Sequence, residues 1–235
     1  MNIHRTSLLE GASGANGCAV IVDVFRAYTC ASILLYYRPA EIRLEEDPRQ
    51  CLLLKRQQGY LAVGEIDGVP VEGFDIGNSP SAIVARGRDF FEGRRVVLRT
   101  SAGVRGVFAA RQRADSIWAA SYTTAGALAR AINRENPGQV HLVAMGWSGQ
   151  ISTPEDENCA HCLHSLLDPA VNYDHVAALA EIMRHESALK FLRGDKEHFP
   201  PEDVSWCLQR DLFDFAMKVD DAEGSLRILR VDSAG

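Results

Sequence analysis

The sequence predicts a layered α/β fold with a mixed, largely parallel sheet, and three observations carry that prediction. Short apolar runs alternate with segments of helical apolar spacing along most of the 235 residues. Two of the runs, 18–23 and 95–99, are apolar with little alternation, as in strands buried on both faces. A polar turn and then a helix follow such strands after Asp23, Arg99 and Ala144, the order that βαβ units repeat.

The elements follow in chain order. Residues 18–23 form the first expected strand, and 27–37 then present a helical apolar face that ends before Pro39. A short strand is expected over 41–44, a helix over 48–58 and a strand over 60–64. Ser79-Pro80 reads as a helix start, with Ser as cap and Pro in the first turn, where its missing N–H costs nothing. Residues 95–99 repeat the buried-strand pattern and 104–113 the helix after it. Strand, helix and strand are then expected over 116–119, 123–135 and 140–144. Long helices fill 155–166 and 173–192, a shorter one 202–210, and 226–231 closes an edge as a strand. No linker rich in Pro, Gly or Ser divides the chain, so 1–235 reads as a single domain. The alternative is two lobes, 1–120 and 121–235, with the site between them.

Composition excludes several classes. The hydrophobic fraction of 46% and charged fraction of 24% are those of a globular protein, which excludes disorder. A net charge of −6 argues against a nucleic-acid partner, which needs a basic excess, while leaving a few local arginines free to bind a small anion. No uninterrupted apolar run reaches the length of a membrane span, and the first residues lead into glycine-rich sequence rather than a signal peptide. Six scattered cysteines (18, 30, 51, 159, 162 and 207) suit reduced core thiols, and hence a cytoplasmic protein. Homo-oligomerisation stays open.

In open α/β sheets ligands collect outside the carboxyl ends of the strands, and the polar turns lie there. The first turn is Asp23-Val24-Phe25-Arg26-Ala27. Its acid beside an arginine can hold a metal and an anionic oxygen, or can simply cap the next helix. Phe25 stands where an aspartyl-phosphate phosphatase carries its second Asp, which argues against that mechanism. Residues 64–80 place Glu65, Asp67, Glu72 and Asp75, with four glycines and Asn78, between a strand and a helix start. Loops this long are usually functional, and oxygen-only ligands favour Mg²⁺; a solvated, turn-rich connection is the plainer account. Arg99-Thr100-Ser101-Ala102-Gly103-Val104-Arg105 runs a strand into a helix start, whose backbone N–H groups form an anion site. Arg105 there offers a forked contact, and capping by Thr100 or Ser101 is the competing reading.

In the fourth region Thr153, Pro154 and Asp156 read as a capped helix start, with Asp156 also able to point into the strand-end cleft as metal ligand or proton carrier. Cys159-Ala160-His161-Cys162 with His164 lacks the second ligand pair of a zinc site, so a buried helix face is expected. There is no tyrosine-phosphatase loop, no Gly-Lys-Ser/Thr phosphate loop, no Gly-x-Ser-x-Gly elbow and no His-Glu-x-x-His.

Together these turns resemble the 2-phosphosulfolactate phosphatase family over nearly the whole chain. That family reads Asp-Val-Leu-Arg-Ala-Thr-Thr after its first strand, against Asp23 to Thr29 here. Its Gly-Glu, then Glu-Gly-Phe-Asp-Leu-Gly-Asn-Ser-Pro, matches Gly64-Glu65 and Glu72 to Pro80, the most specific signal. Its Thr-Thr-Thr-Asn-Gly-Thr-Arg is answered by Arg99 to Arg105, and its Glu-Asp and Cys-Ala by Glu155-Asp156 and Cys159-Ala160. Asp203, Cys207 and Asp211 sit at the family's spacing. Four positions depart from the pattern: Ala102 replaces an amide, Val104 a hydroxyl, and Tyr28 and Arg99 threonines.

The resemblance implies Mg²⁺-dependent hydrolysis of a small anionic phosphomonoester, 2-phospho-3-sulfolactate, to sulfolactate and phosphate, a step toward coenzyme M. In that setting Asp23, Glu65, Glu72 and Asp75, with Asp156, are the candidate metal ligands. Asp23, Glu65 and Asp156 are the candidate proton carriers. Arg26, Asn78, Thr100, Ser101, Gly103 and Arg105 are the candidates to hold phosphate or sulfonate. A covalent route through Cys159 is the disfavoured alternative, since helical sequence puts it about one turn past a helix start.

Overall fold

The computed structural model describes residues 1–222 and 224–232. The chain begins with β1 (Asn2–Ser7) and α1 (Leu8–Gly14), followed by β2 (Gly17–Val22), α2 (Ala27–Tyr36) and β3 (Glu41–Leu44). Then come α3 (Pro48–Gln58), β4 (Leu61–Ile66), the short β5 (Val69–Pro70), α4 (Pro80–Arg86), α5 (Arg88–Phe91) and β6 (Arg95–Arg99). The second half holds α6 (Gly103–Ala110), β7 (Ala114–Ala120), α7 (Ala125–Glu135), β8 (Gln139–Ala144) and α8 (Pro154–Leu167). It closes with α9 (His175–Ile182), α10 (Glu186–Leu192), α11 (Glu202–Cys207), β9 (Phe215–Ala222) and β10 (Ser225–Asp232).

The strands form one sheet in the order β1-β8-β2-β7-β9-β10-β3-β6-β4-β5. Two parallel blocks, β1-β8-β2-β7 and β3-β6-β4, flank the antiparallel pair β9-β10, and β5 is antiparallel to β4. The sheet is therefore mixed and largely parallel, as the alternation of elements predicts. It runs unbroken past residue 120: β8 inserts between β1 and β2, interleaving the two sequence halves.

Both faces of the sheet are covered, and β2 shows why its sequence lacks alternation. Cys18, Val20 and Val22 belong to one buried layer with Trp118, Leu142 and Leu163, while Ala19 and Ile21 belong to the other with Leu98, Val107 and Met217. Side chains of a strand alternate faces, so a strand buried on both sides must be apolar throughout.

Helix starts follow the expected capping chemistry in part. Asp47 accepts from Arg49 N at 2.8 Å, and Ser79 from Ala82 N at 3.3 Å. Thr153 makes no cap bond, and the Asp156 side chain, expected to reach back to it, binds Val24 N and Gly146 N instead.

Besides the short β5 and α5, which no expectation covered, four features differ from expectation. The sequence Asn2–Ser7 has a single large apolar residue, Ile3, and gives no period; β1 exists because it pairs in parallel with β8. α1, directly after it, has a single buried residue, Ala12, too little for a periodic signal. The single helix expected over 173–192 is two. The break falls where His185 turns out to cap α10, its Nδ1 accepting from Ser187 N at 3.1 Å. β9 was masked by Asp220 and Asp221, and is held by β7 on one side and β10 on the other. Among the described residues, no helix is long and apolar enough to cross a membrane.

Candidate active site

The turns after β2, β4, β6 and β8 meet at one small cavity of about 30 Å³, room for a water or two. Asp23 and Arg26 reach it from the first turn, Glu65 and Gly68 from the end of β4, Ser101 and Ala102 from the third turn. Gly146, Trp147 and Ser148 border it from the fourth, and Phe25, Asp67, Asn78, Phe191 and Phe199 complete the wall.

Backbone N–H groups organise the carboxylates. Asp23 Oδ2 accepts from Gly103 N at 2.8 Å and its Oδ1 from Ala27 N at 3.1 Å, so one side chain ties β2 to the starts of α2 and α6. Glu65 Oε1 accepts from Ser101 N at 2.6 Å, and its Oε2 from Gly68 N at 2.5 Å and Ser101 Oγ at 3.2 Å. Asp156 reaches from α8 to Val24 N and Gly146 N, each at 2.7 Å, and joins the turns after β2 and β8. The N–H groups expected to cradle a substrate anion at the start of α6 thus hold the protein's own carboxylates.

Gathering these acids perturbs them. Burial pushes the Asp23 carboxyl up to about 7, and repulsion from Glu65 and Glu155 adds to it against the pull of the amide bonds. Asp156 is raised well above the carboxylate range by burial and then by Asp23 and Glu155.

Arg26 is held as firmly. Its Nη1 donates to Asp203 Oδ2 and to the His198 carbonyl, both at 2.8 Å, and its Nη2 to the Gly68 carbonyl at 3.3 Å. The guanidinium centre lies 5.1 Å from the Phe191 ring and 5.4 Å from that of Phe199. Asp203 Oδ1 in turn accepts from Ser79 Oγ, Ser81 N and Ser81 Oγ. Arg26 therefore clamps the 198–203 segment and the Gly68 turn over the cavity. Its charge is already matched by Asp203.

The structure brings Asp23, Arg26, Glu65, Asn78 and Ser101 together on the cavity. The Asn78 Oδ1 is buried and has no partner among the described residues. Asp156 and Gly103 stand just behind the wall and act on it through hydrogen bonds. The remaining candidates lie elsewhere. Glu72 is exposed, and Asp75 is bound to Lys55 Nζ and Ala62 N, on the far side of the loop from the cavity. Thr100 accepts from Val104 N as a helix-start cap. Arg105 does not itself line the cavity but reaches the carbonyl of Ser148, a wall residue, at 3.5 Å. Cys159 is wholly buried in the layer with Leu163 and Trp118, where burial pushes its thiol far above its ordinary range, unsuited to nucleophilic attack.

Three contributors escaped sequence reasoning: Trp147, Lys190 and Phe199. Lys190 Nζ lies 3.5 Å from the Trp147 ring centre, and burial lowers its pKa to about 8. An aromatic or a lysine in a helix looks like ordinary core or surface until the loops meet.

The cavity supplies part of the donor set that a divalent cation would need. Among the described residues no three His, Cys, Asp or Glu side chains are grouped to hold a metal. Mg²⁺, however, is commonly bound by one or two carboxylates with substrate phosphate oxygens and water completing the shell. Asp23 and Glu65 are such a pair: they line one cavity and repel each other, and both Asp23 oxygens and Glu65 Oε1 accept a single hydrogen bond and keep a lone pair, whereas Glu65 Oε2 already accepts two. The donor set fits the ion as a half-shell.

Of the departures from the family pattern, two are braces. The Tyr28 hydroxyl donates to the Gly103 carbonyl at 2.8 Å, and Arg99 donates through Nη1 to the Glu65 carbonyl and Ser101 Oγ. Val104 is wholly buried in the apolar layer, and only Ala102 borders the cavity.

Comparison with known proteins places the chain among relatives. The family model for 2-phosphosulpholactate phosphatase matches residues 3–222. A protein of Cyanothece sp. named "Probable 2-phosphosulfolactate phosphatase" is 30% identical over 219 residues, covering 84% of this chain and 86% of that protein. A Synechocystis sp. protein of the same name is 27% identical, covering 92% and 94%, and one from Gloeobacter violaceus 33%, covering 71% and 70%. With the matched motifs meeting at one cavity, the chain belongs to the 2-phosphosulpholactate phosphatase family.

Proposed function

We propose that this protein is a phosphoric monoester hydrolase that converts 2-phospho-3-sulfolactate to 3-sulfolactate and phosphate, with Mg²⁺ held by Asp23 and Glu65. The observation that carries this reading is the meeting of those two buried carboxylates, the unpartnered Asn78 amide oxygen and the Ser101 hydroxyl on one cavity at the strand ends. A phosphate dianion entering there meets acids, and an Arg26 already paired with Asp203. A cation removes that repulsion, and so supplies charge neutralisation at the phosphoryl oxygens.

The chain's own groups do the rest. Burial leaves the Asp23 carboxyl only partly charged near neutrality, and a cation bound beside it would favour its charged form. Asn78 can donate to a phosphoryl oxygen through its Nδ2, while the Ser101 hydroxyl, which donates to Glu65 Oε2, positions that carboxylate. Asp156 fixes the turns after β2 and β8, holding the wall in place, and the 198–203 segment, clamped through Arg26, excludes bulk water. Phosphate monoesters hydrolyse extremely slowly in water, so preorganised charge at the reacting group must carry most of the acceleration. The six buried, unbridged cysteines support a reducing, cytoplasmic setting.

Ala102 favours a second reading, a phosphatase for another phosphorylated hydroxy acid, because it lines the cavity where the family pattern has an amide. Phosphate release from 2-phospho-3-sulfolactate and a panel of phosphomonoesters, with Mg²⁺ or with chelator, separates the readings. Preference for phosphosulfolactate, lost on chelation, is expected. Release from another ester only selects the second reading, release insensitive to chelation removes the metal, and release from none leaves an anion-binding protein.

A further inference from the structure

The cavity lies against a larger vestibule of about 450 Å³, and the two share Asp67, Trp147 and Phe199 in their walls. The cavity itself, with room for a water or two, admits at most the tip of a phosphoryl group. The three-carbon body of the proposed substrate, with its carboxylate and sulfonate, must extend past Trp147 and Phe199 into the vestibule.

Lys190 stands at that junction. Its Nζ lies 3.5 Å from the centre of the Trp147 ring, 5.2 Å from Phe199 and 5.3 Å from Phe191. It forms no hydrogen bond or ion pair among the described residues. Its neighbour Arg193 is matched by Glu186 and Asp195, and Arg26 by Asp203. A half-buried ammonium resting on an indole face keeps its N–H donors available, and desolvation strengthens any anion contact it makes. A sulfonate is the better occupant than a carboxylate. It is more weakly hydrated, so entry into a site walled by three aromatic rings costs it less.

We propose that Lys190 is the specificity-determining residue of this site, its ammonium receiving the sulfonate of the substrate where the cavity meets the vestibule. The proposal rests on the phosphosulfolactate reading above. It assigns to a helix residue outside every recognised motif the task of separating this substrate from esters that lack the second strong anion.

The test compares wild type, Lys190→Met and Lys190→Arg on 2-phospho-3-sulfolactate and on 2-phospholactate, which is the same ester without the sulfonate. Met keeps the unbranched stem against Trp147, and an unchanged unfolding midpoint verifies the fold. A charge-assisted contact of this kind predicts that Lys190→Met raises KM for phosphosulfolactate about tenfold or more, with kcat and the phospholactate reaction nearly unchanged. Lys190→Arg restores part of the loss. An equal loss on both substrates, or an unchanged KM on the sulfonated one, overturns the proposal. Calorimetric binding of 3-sulfolactate and of lactate gives a readout independent of turnover. Sulfonate-dependent binding that disappears in Lys190→Met supports the assignment, and its absence in wild type or persistence in the variant overturns it. If wild type hydrolyses neither ester, the functional reading fails, while the binding comparison still decides the role of Lys190.

Discussion

Asp203→Asn isolates the buried ion pair that closes the cavity. The pair is 2.8 Å long, and its side chains are 3% and 1% exposed, so the screening that makes surface pairs nearly worthless does not apply. Asn preserves the shape, and its amide oxygen still accepts from Ser79 and Ser81, so packing is largely unchanged. What is lost is the counter-charge, leaving a buried guanidinium with only the His198 and Gly68 carbonyls. Removing one partner of a buried pair costs about 3–5 kcal/mol, and the two carbonyls place this case near about 3. At about 2–4 °C per kcal/mol for a chain of this size, Tm should fall by about 6–12 °C. Circular dichroism melts and urea titrations of the two proteins measure this. Phosphate release should fall with it, since the 198–203 segment loses its anchor. The double variant Arg26→Met/Asp203→Leu should regain most of the stability and none of the activity. A midpoint for Asp203→Asn within about 1 °C of wild type would refute the clamp, as it would equate to well under 1 kcal/mol.

Other outcomes follow from the same geometry. Gly68 has φ +84 and sits so close under Phe199 that an added Cβ would lie 2.6 Å from its ring; Gly68→Ala should therefore destabilise the fold by about 1–3 kcal/mol and reduce turnover, measured by melts and kinetics. Cys159→Ala should keep kcat while costing about 1 kcal/mol, because the thiol is core and held neutral; loss of turnover with the fold intact would reinstate a chemical role. Val104→Thr restores the family's hydroxyl but buries it in an apolar layer, so a loss of about 1–3 kcal/mol with no gain in activity is expected. Burial lowers Lys190 toward about 8, with Arg26 adding and Glu155, Glu65 and Asp23 opposing. The anion-binding form is therefore the one present below that pH. KM for phosphosulfolactate should rise as pH passes about 8 in wild type and stay flat in Lys190→Met.

The sequence alone determined the α/β class, the positions of most strands and helices, and the four strand-end turns from which the site is made. Those features are local: apolar period, capping residues and short motifs are written in consecutive positions, so Asp23, Arg26, Glu65, Asn78 and Ser101 were legible as candidates. β1 and β9 were not, because their own residues are mixed in polarity and they are set by pairing with β8 and β7, far along the chain. The same holds within the site. Only the tertiary structure decided that Asp23 takes the Gly103 amide across eighty residues, that Asp203 neutralises Arg26, and that Trp147, Lys190 and Phe199 meet at the mouth. It also turned Glu72 and Asp75 away from the acids they neighbour in sequence, because Asp75 pairs with Lys55 across the loop while Glu72 faces solvent. Electrostatic partnership depends on distance through space, which residue order does not encode.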